Sequence, residues 1–91
     1  MKIQYFAHLR DVTRMTEENY TSSAPTLRDL LGDLCRRYGP NFRKWVLTPD
    51  GDLSSLAIVL VNGSDVRHTG RLDTPLSPTD LVCIFPPVAG G

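Results

Sequence analysis

TLRDLLGDLCRRYGP, residues 26–40, places apolar side chains at Leu27, Leu30, Leu31, Leu34, Cys35 and Tyr38. These positions run i, i+3, i+4, i+7, i+8 and i+11, one continuous stripe along an α-helix. Thr26 is suited to the N-cap, and Asp29 three residues later favours the positive end of the helix. Arg36 and Arg37 fall in the last turn, and Gly39-Pro40 supplies the stop. Gly32 lies inside the helix, where it costs about 1 kcal/mol against Ala, and it leaves room for a strand to approach closely. One helix with one apolar stripe has to be covered by something else, and the rest of the chain indicates what.

Upstream, residues 2–9 alternate in polarity with β-prone Ile3, Tyr5, Phe6 and Leu9, which predicts a first strand. A second, weaker strand is expected over Glu17–Thr21. Downstream, Phe42, Trp45, Val46 and Leu47 form no periodic pattern long enough for a second helix of comparable quality. Pro49-Asp50-Gly51-Asp52 reads as a turn; its carboxylates lack the other loop ligands that calcium needs. LAIVLV, Leu56–Val61, is a continuous apolar run of strand length, read as buried on both faces. Asn62-Gly63 is a tight hairpin turn, with a return strand expected from Val66. Residues 74–80 read as a loop. LVCIF, Leu81–Phe85, is the last strand, stopped by Pro86-Pro87, neither of which can donate to a ladder. Strand, strand, helix, then further strands is the order of an α+β fold. The layering suits a β-grasp (ubiquitin-like) domain: a mixed four- to five-stranded sheet packed on one main helix, occupying residues 1–91 with a flexible tail over 86–91.

Composition narrows the function. Ninety-one residues make one domain with a modest core. Ten basic and ten acidic residues cancel, and the basic ones are scattered, which argues against nucleic acid. No apolar run approaches the roughly 20 residues that cross a bilayer, and no signal peptide is legible. A cytoplasmic protein without a membrane partner is expected. Cys35 and Cys83 are too few and too far apart for a zinc site, and a disulfide is not expected of them in a reducing compartment. His8 and His68 have no partner at a recognisable spacing. No metal or bound cofactor is expected.

The chain closes with Pro86-Pro87-Val88-Ala89-Gly90-Gly91. Two terminal glycines arise by chance in roughly 0.5% of chains, so the ending merits a physical reading. Six residues span at most about 20 Å. The prolines favour an extended course away from the sheet, and glycines without Cβ atoms can thread a narrow channel. Such a tail can present the carboxylate of Gly91 in another protein's active site. Ordering four tail residues costs on the order of 4–8 kcal/mol of backbone entropy, which apolar contacts near the tail must offset. If Val82 and Ile84 face the helix, alternation turns Leu81, Cys83 and Phe85 to the other side. That side then becomes a partner-docking face.

The run DLVCIFPPVAGG, Asp80–Gly91, resembles the end of MoaD/ThiS-type sulfur carriers. Its form Phe85-Pro86-Pro87-Val88-Ala89-Gly90-Gly91 is most similar to the small subunit of molybdopterin synthase. YFAHLRDV, Tyr5–Val12, resembles that family's first strand. NGSDVRHTGRLDTPLSPTD, Asn62–Asp80, resembles a longer subgroup that includes carriers for cysteine biosynthesis. Arg14–Ser23 departs from the pattern, because a family glycine after the first strand is absent there. The resemblance implies a carrier that is not catalytic alone. An E1-like enzyme using ATP and Mg²⁺ adenylates Gly91, a sulfur donor converts it to a thiocarboxylate, and an acceptor such as the large subunit of molybdopterin synthase takes the sulfur. The alternatives are a carrier for cysteine, thiamine or another thio-metabolite, a ubiquitin-like modifier joined to protein lysines, and a plain β-grasp binding module.

Overall fold

The computed structural model describes residues 1–87; the tail positions Val88, Ala89, Gly90 and Gly91 lie outside the described residues. The elements are β1 (Lys2–Tyr5), α1 (His8–Thr13), β2 (Glu17–Asn19), α2 (Leu27–Tyr38), α3 (Pro40–Val46), β3 (Ile58–Val61), β4 (Ser64–Asp65) and β5 (Leu81–Phe85), with 3₁₀ turns at Val66–His68 and Arg71–Asp73. The five strands form one mixed sheet in the order β2-β1-β5-β3-β4. β1 and β5 are parallel neighbours at its centre, while the other pairs are antiparallel. This is the β-grasp arrangement the sequence predicts.

Packing explains the sheet order. Ile3, Tyr5, Val59, Val82 and Ile84 are fully buried from the strands, and Leu27, Leu30, Leu31 and Leu34 are fully buried from α2. The stripe therefore lies on the two central strands and β3 as a single core. Thr26 caps α2 as expected. Its Oγ1 accepts from the Asp29 amide at 3.4 Å, and the Asp29 carboxylate accepts from the Thr26 amide at 3.2 Å. The Gly39 amide closes the helix on the Cys35 carbonyl at 2.8 Å, and its φ of 81° lets the chain turn at once into α3.

Five expectations need correction. The first strand stops at Tyr5, because Ala7 takes φ 51° and turns the chain into α1. Leu9 is buried from one face of that helix together with Thr13, so the apparent strand alternation up to Leu9 is accidental. Residues 40–46 do form a helix, short but well specified: Pro40 opens it, and Phe42 and Val46, one turn apart, both bury completely. The run 56–61 is a strand only from Ile58, and it is not buried on both faces. Ala57 and Val59 are fully buried, but Leu56 is 65% and Ile58 45% exposed. The return strand is Ser64–Asp65; Val66 instead opens a 3₁₀ turn and fills the core. Finally, Gly32 does not admit a strand. A Cβ added there would meet only the tip of Arg36 at 3.9 Å, so the glycine serves no close approach.

A polar network ties the β2 edge to α2. The hydroxyls of Tyr5 and Tyr38 both donate to Glu18 Oε1, at 2.6 and 2.7 Å. Arg37 reaches Glu18 at 3.2 Å and Asp33 at 3.1 Å, and Tyr20 donates to Asp33 at 2.5 Å. Burial and the adjacent Glu18 carboxylate push the Tyr5 phenol far above its ordinary value. Burial, then a carboxylate neighbour, pushes Tyr20 and Tyr38 each up to about 12. The Tyr20 hydroxyl, with Arg37 and Arg36, holds the Asp33 carboxyl below its ordinary range.

Candidate functional site

β5 carries the chain from the core to the tail. Leu81, Cys83 and Phe85 are half-buried on the outer face of the sheet, whereas Val82 and Ile84 are fully buried beneath it. The strand is registered at both ends. The Leu81 amide donates to Asn62 Oδ1 at 2.9 Å, and the Phe6 amide donates to the Ile84 carbonyl at 3.2 Å. Asn62 takes φ 52° and Gly63 φ 85°, the paired left-handed conformation of a type I′ hairpin. That turn pairs Val61 of β3 with Ser64 of β4, and the other edge of β3 pairs antiparallel with β5, so that Ile58 lies opposite Phe85 and Leu60 opposite Cys83.

The outer face is thereby divided. Its β5/β3 half is apolar, formed by Leu81, Cys83, Phe85, Ile58 and Leu60. Its β1/β2 half is polar: Gln4 Nε2 donates to Glu17 at 3.2 Å, and Lys2 pairs with the same carboxylate at 3.4 Å. These contacts, Gln4 first, lower the Glu17 carboxyl from its ordinary value. Cys83 sits on the seam and donates weakly from Sγ to Gln4 Oε1 at 3.4 Å. Its burial raises the thiol, which keeps it protonated and a poor nucleophile at neutral pH.

At the tail end of the strand, Phe85 stacks on Phe6 with centroids 4.1 Å apart and planes 13° from parallel. The Arg10 guanidinium lies 5.4 Å from the Phe6 centroid and donates to the Tyr5 carbonyl at 3.1 Å. Pro86 is itself buried and Pro87 half-buried. The packed domain thus continues one residue past β5, instead of releasing the chain at the first proline as the sequence suggests. Phe85, Cys83 and Leu81 share one face, as alternation requires. Sequence reasoning missed Phe6, Ile58 and Leu60, which complete that face. Ile58 and Leu60 were within reach, since strand alternation turns both neighbours of a buried Val59 outward. Phe6 was not, because it lies beyond the end of β1.

Among the described residues no group of three or more His, Cys, Asp or Glu side chains could hold a metal ion, and no helix is long and apolar enough to cross a membrane. What the geometry offers is an apolar face and an aromatic base from which residues 87–91 proceed.

Comparison with known proteins bears on what such a base is for. The profile of the ThiS family matches residues 3–91. The chain is 32% identical to small archaeal modifier protein 3 of Haloferax volcanii over 92 aligned positions, covering 100% of this chain and 98% of that one. It superimposes on a chain of the Amycolatopsis orientalis BexX/CysO complex with a TM-score of 0.80 at 25% identity, covering 99% and 98% of the two chains. It also superimposes on a putative molybdopterin converting factor, subunit 1, from Pyrococcus furiosus, with a TM-score of 0.71 at 29% identity and coverages of 96% and 95%.

Proposed function

This chain belongs to the ThiS family, a family of small sulfur carriers and ubiquitin-like modifiers, and from that premise we propose that its working group is the carboxylate of Gly91. The observation that carries the reading is the match of the family profile through the Gly90-Gly91 end, downstream of the Phe6–Phe85 base. A carboxylate is a poor acceptor for sulfur. In the proposed cycle an E1-like enzyme with MgATP adenylates Gly91, releasing pyrophosphate. A sulfide or persulfide sulfur attacks the acyl carbon and expels AMP; with a persulfide, a thiol then cleaves the S–S bond. The resulting C-terminal thiocarboxylate is a good nucleophile. The chain itself acts as carrier, and Phe85, Leu81 and Cys83 form the face on which activating and acceptor enzymes dock.

The motif favours one acceptor. Phe85-Pro86-Pro87-Val88-Ala89-Gly90-Gly91, together with the likeness to the Pyrococcus furiosus protein, supports the small subunit of molybdopterin synthase, donating sulfur to a pterin precursor held by the large subunit. A second reading, a carrier for cysteine or a thio-metabolite, is favoured by the Asn62–Asp80 segment and by the likeness to a chain of the BexX/CysO complex. Similarity to a small archaeal modifier favours conjugation to lysines as a further use of the same activated carboxylate.

The test is an intact mass after incubation with the E1-like enzyme, MgATP and a sulfur donor. One oxygen should be replaced by sulfur. A chain lacking Gly91, or extended beyond it, should remain unconverted, and equal conversion of the blocked chain would overturn the reading. Offering the thiocarboxylate form to a precursor-loaded molybdopterin synthase large subunit and to a cysteine-synthase-type enzyme then identifies the acceptor by which one takes the sulfur.

A further inference from the structure

Five of the ten basic side chains reach a carboxylate within 4 Å: Lys2, Arg28, Arg36, Arg37 and Arg67. Among the described residues the other five, Arg10, Arg14, Arg43, Lys44 and Arg71, do not. Four of these five fall on α1, its C-cap and α3. Arg43 lies close to the 48–52 turn, within 3.8 Å of where a Cβ on Gly51 would sit, so it is set aside. Arg10, Arg14 and Lys44 are exposed.

Their position relative to the tail follows from topology. β1 runs parallel to β5, with Tyr5 paired to Ile84, so α1 begins beside the point where β5 gives way to Pro86. Arg10 lies over Phe6, which stacks on Phe85. α3 packs beside α1, and His8 stacks on Trp45 with centroids 5.1 Å apart. Lys44 lies 5.4 Å from the Trp45 ring on the same helix. Two half-buried aromatic platforms, Phe6–Phe85 and Trp45, are therefore each flanked by a cation without a carboxylate partner, at the end of the molecule where the tail leaves. α1 contributes one carboxylate of its own, Asp11, and α3 none.

Arg10 has a structural contact in the Tyr5 carbonyl, but no ion pair explains the charges of Arg14 and Lys44, and exposed ion pairs would in any case stabilise the fold little. Their field does act on encounter with a partner. Trp and Arg are also the residue types that most often anchor interfaces.

We infer that the α1–α3 surface of Arg10, Arg14, Lys44 and Trp45 is a second docking area, beside the sheet face, for a carboxylate-rich protein surface on the enzyme that receives the tail. The inference rests on the proposed function, since it is the tail that brings such an enzyme to this end. A protein partner fits better than nucleic acid or membrane. Three cations on a chain of zero net charge release too few counterions to hold a polyanion at physiological salt, yet suffice to orient a partner that also binds through apolar contacts.

The experiment measures the association rate of the chain with the E1-like enzyme by stopped flow across a series of salt concentrations. The wild-type chain, the double variant Arg14→Glu/Lys44→Glu and the control Arg71→Glu are compared. Arg71 is a suitable control because it sits in a 3₁₀ turn beside the N-terminus of α2, away from the tail. At low salt the double variant should associate about tenfold more slowly, with a flatter salt dependence, while the control matches wild type. The neutral pair Arg14→Gln/Lys44→Gln should fall between, which covers the case in which charge reversal disturbs folding. Equal rates and slopes in all four proteins would overturn the inference. So would retention of the wild-type chain, but not the double variant, on a single-stranded oligonucleotide or on phosphatidylserine vesicles at about 0.15 M salt. The two readings fail differently: wild type that is never adenylated overturns the proposed function, whereas adenylation with charge-independent association overturns only this surface.

Discussion

Phe6 and Phe85 stack with their centroids 4.1 Å apart, joining the residue just past β1 to the last residue of β5. The contact closes the tail end of the two central parallel strands and leaves one side of the pair open to a partner. Replacing Phe85 by Ser should cost about 1 kcal/mol of stability, the size of an aromatic pair, and should weaken binding to the activating or acceptor enzyme by at least tenfold. Ile84→Ser, one residue earlier but fully buried, should cost about 3–5 kcal/mol by combining a cavity with a buried alcohol. Urea unfolding beside a binding titration separates the two. If Phe85→Ser destabilises as much as Ile84→Ser, the outer face is core and not a docking surface.

Leu31 lies at the centre of the α2 stripe and has no exposed surface. Leu31→Ala should lower stability by about 2–5 kcal/mol. Chemical denaturation reads this directly, and a loss below about 0.5 kcal/mol would contradict the packing of α2 on the sheet.

Arg14 closes α1 in the left-handed conformation, φ 62° and ψ 28°. Glycine fills such a left-handed position without strain. A Cβ costs about 1–2 kcal/mol there, partly offset because glycine loosens the unfolded chain. Arg14→Gly should therefore raise stability by about 0.5–1 kcal/mol. It should also slow association with the activating enzyme about twofold, because it removes one steering cation. A melting temperature lower than wild type would show that the Arg14 side chain contributes packing that outweighs its strain.

The Tyr20–Asp33 pair predicts losses of stability at both extremes of pH. The folded state holds the Asp33 carboxyl below its ordinary 3.8, so it binds that proton less readily than the unfolded chain does. The stabilisation is fully present above about pH 4 and is lost as pH falls through the folded value. For Tyr20 and Tyr38 the sign reverses. Each phenol is raised from 10.0 to about 12, so their contribution is present below pH 10 and fades as pH rises through about 12. Tyr20→Phe removes the donor to Asp33 and should flatten both limbs of a stability–pH profile. A profile that keeps the wild-type shape would mean the pair does not couple to folding.

The helix over residues 27–38 was legible because its signals are local: a six-residue stripe, a Thr26–Asp29 capping box and a Gly39-Pro40 stop, all satisfied within the segment. The Asn62-Gly63 turn and the strand Leu81–Phe85 were legible for the same reason, as was the unusual Gly90-Gly91 ending. α1, α3 and the true extent of β3 were not. Each has only one or two buried residues, and their pattern fits strand, helix or loop equally well until a neighbour covers them. Leu9 reads as the next beat of a strand, yet it is buried from a helix because Ala7 turns the backbone. Ile58 reads as core, yet it is exposed because it pairs with Phe85 on the outer face. The surroundings of the tail were beyond sequence for a related reason. Phe6 and Phe85, 79 positions apart, meet only because β1 and β5 pair in parallel, and a parallel register is set by the whole sheet closing over α2 rather than by any turn between its strands.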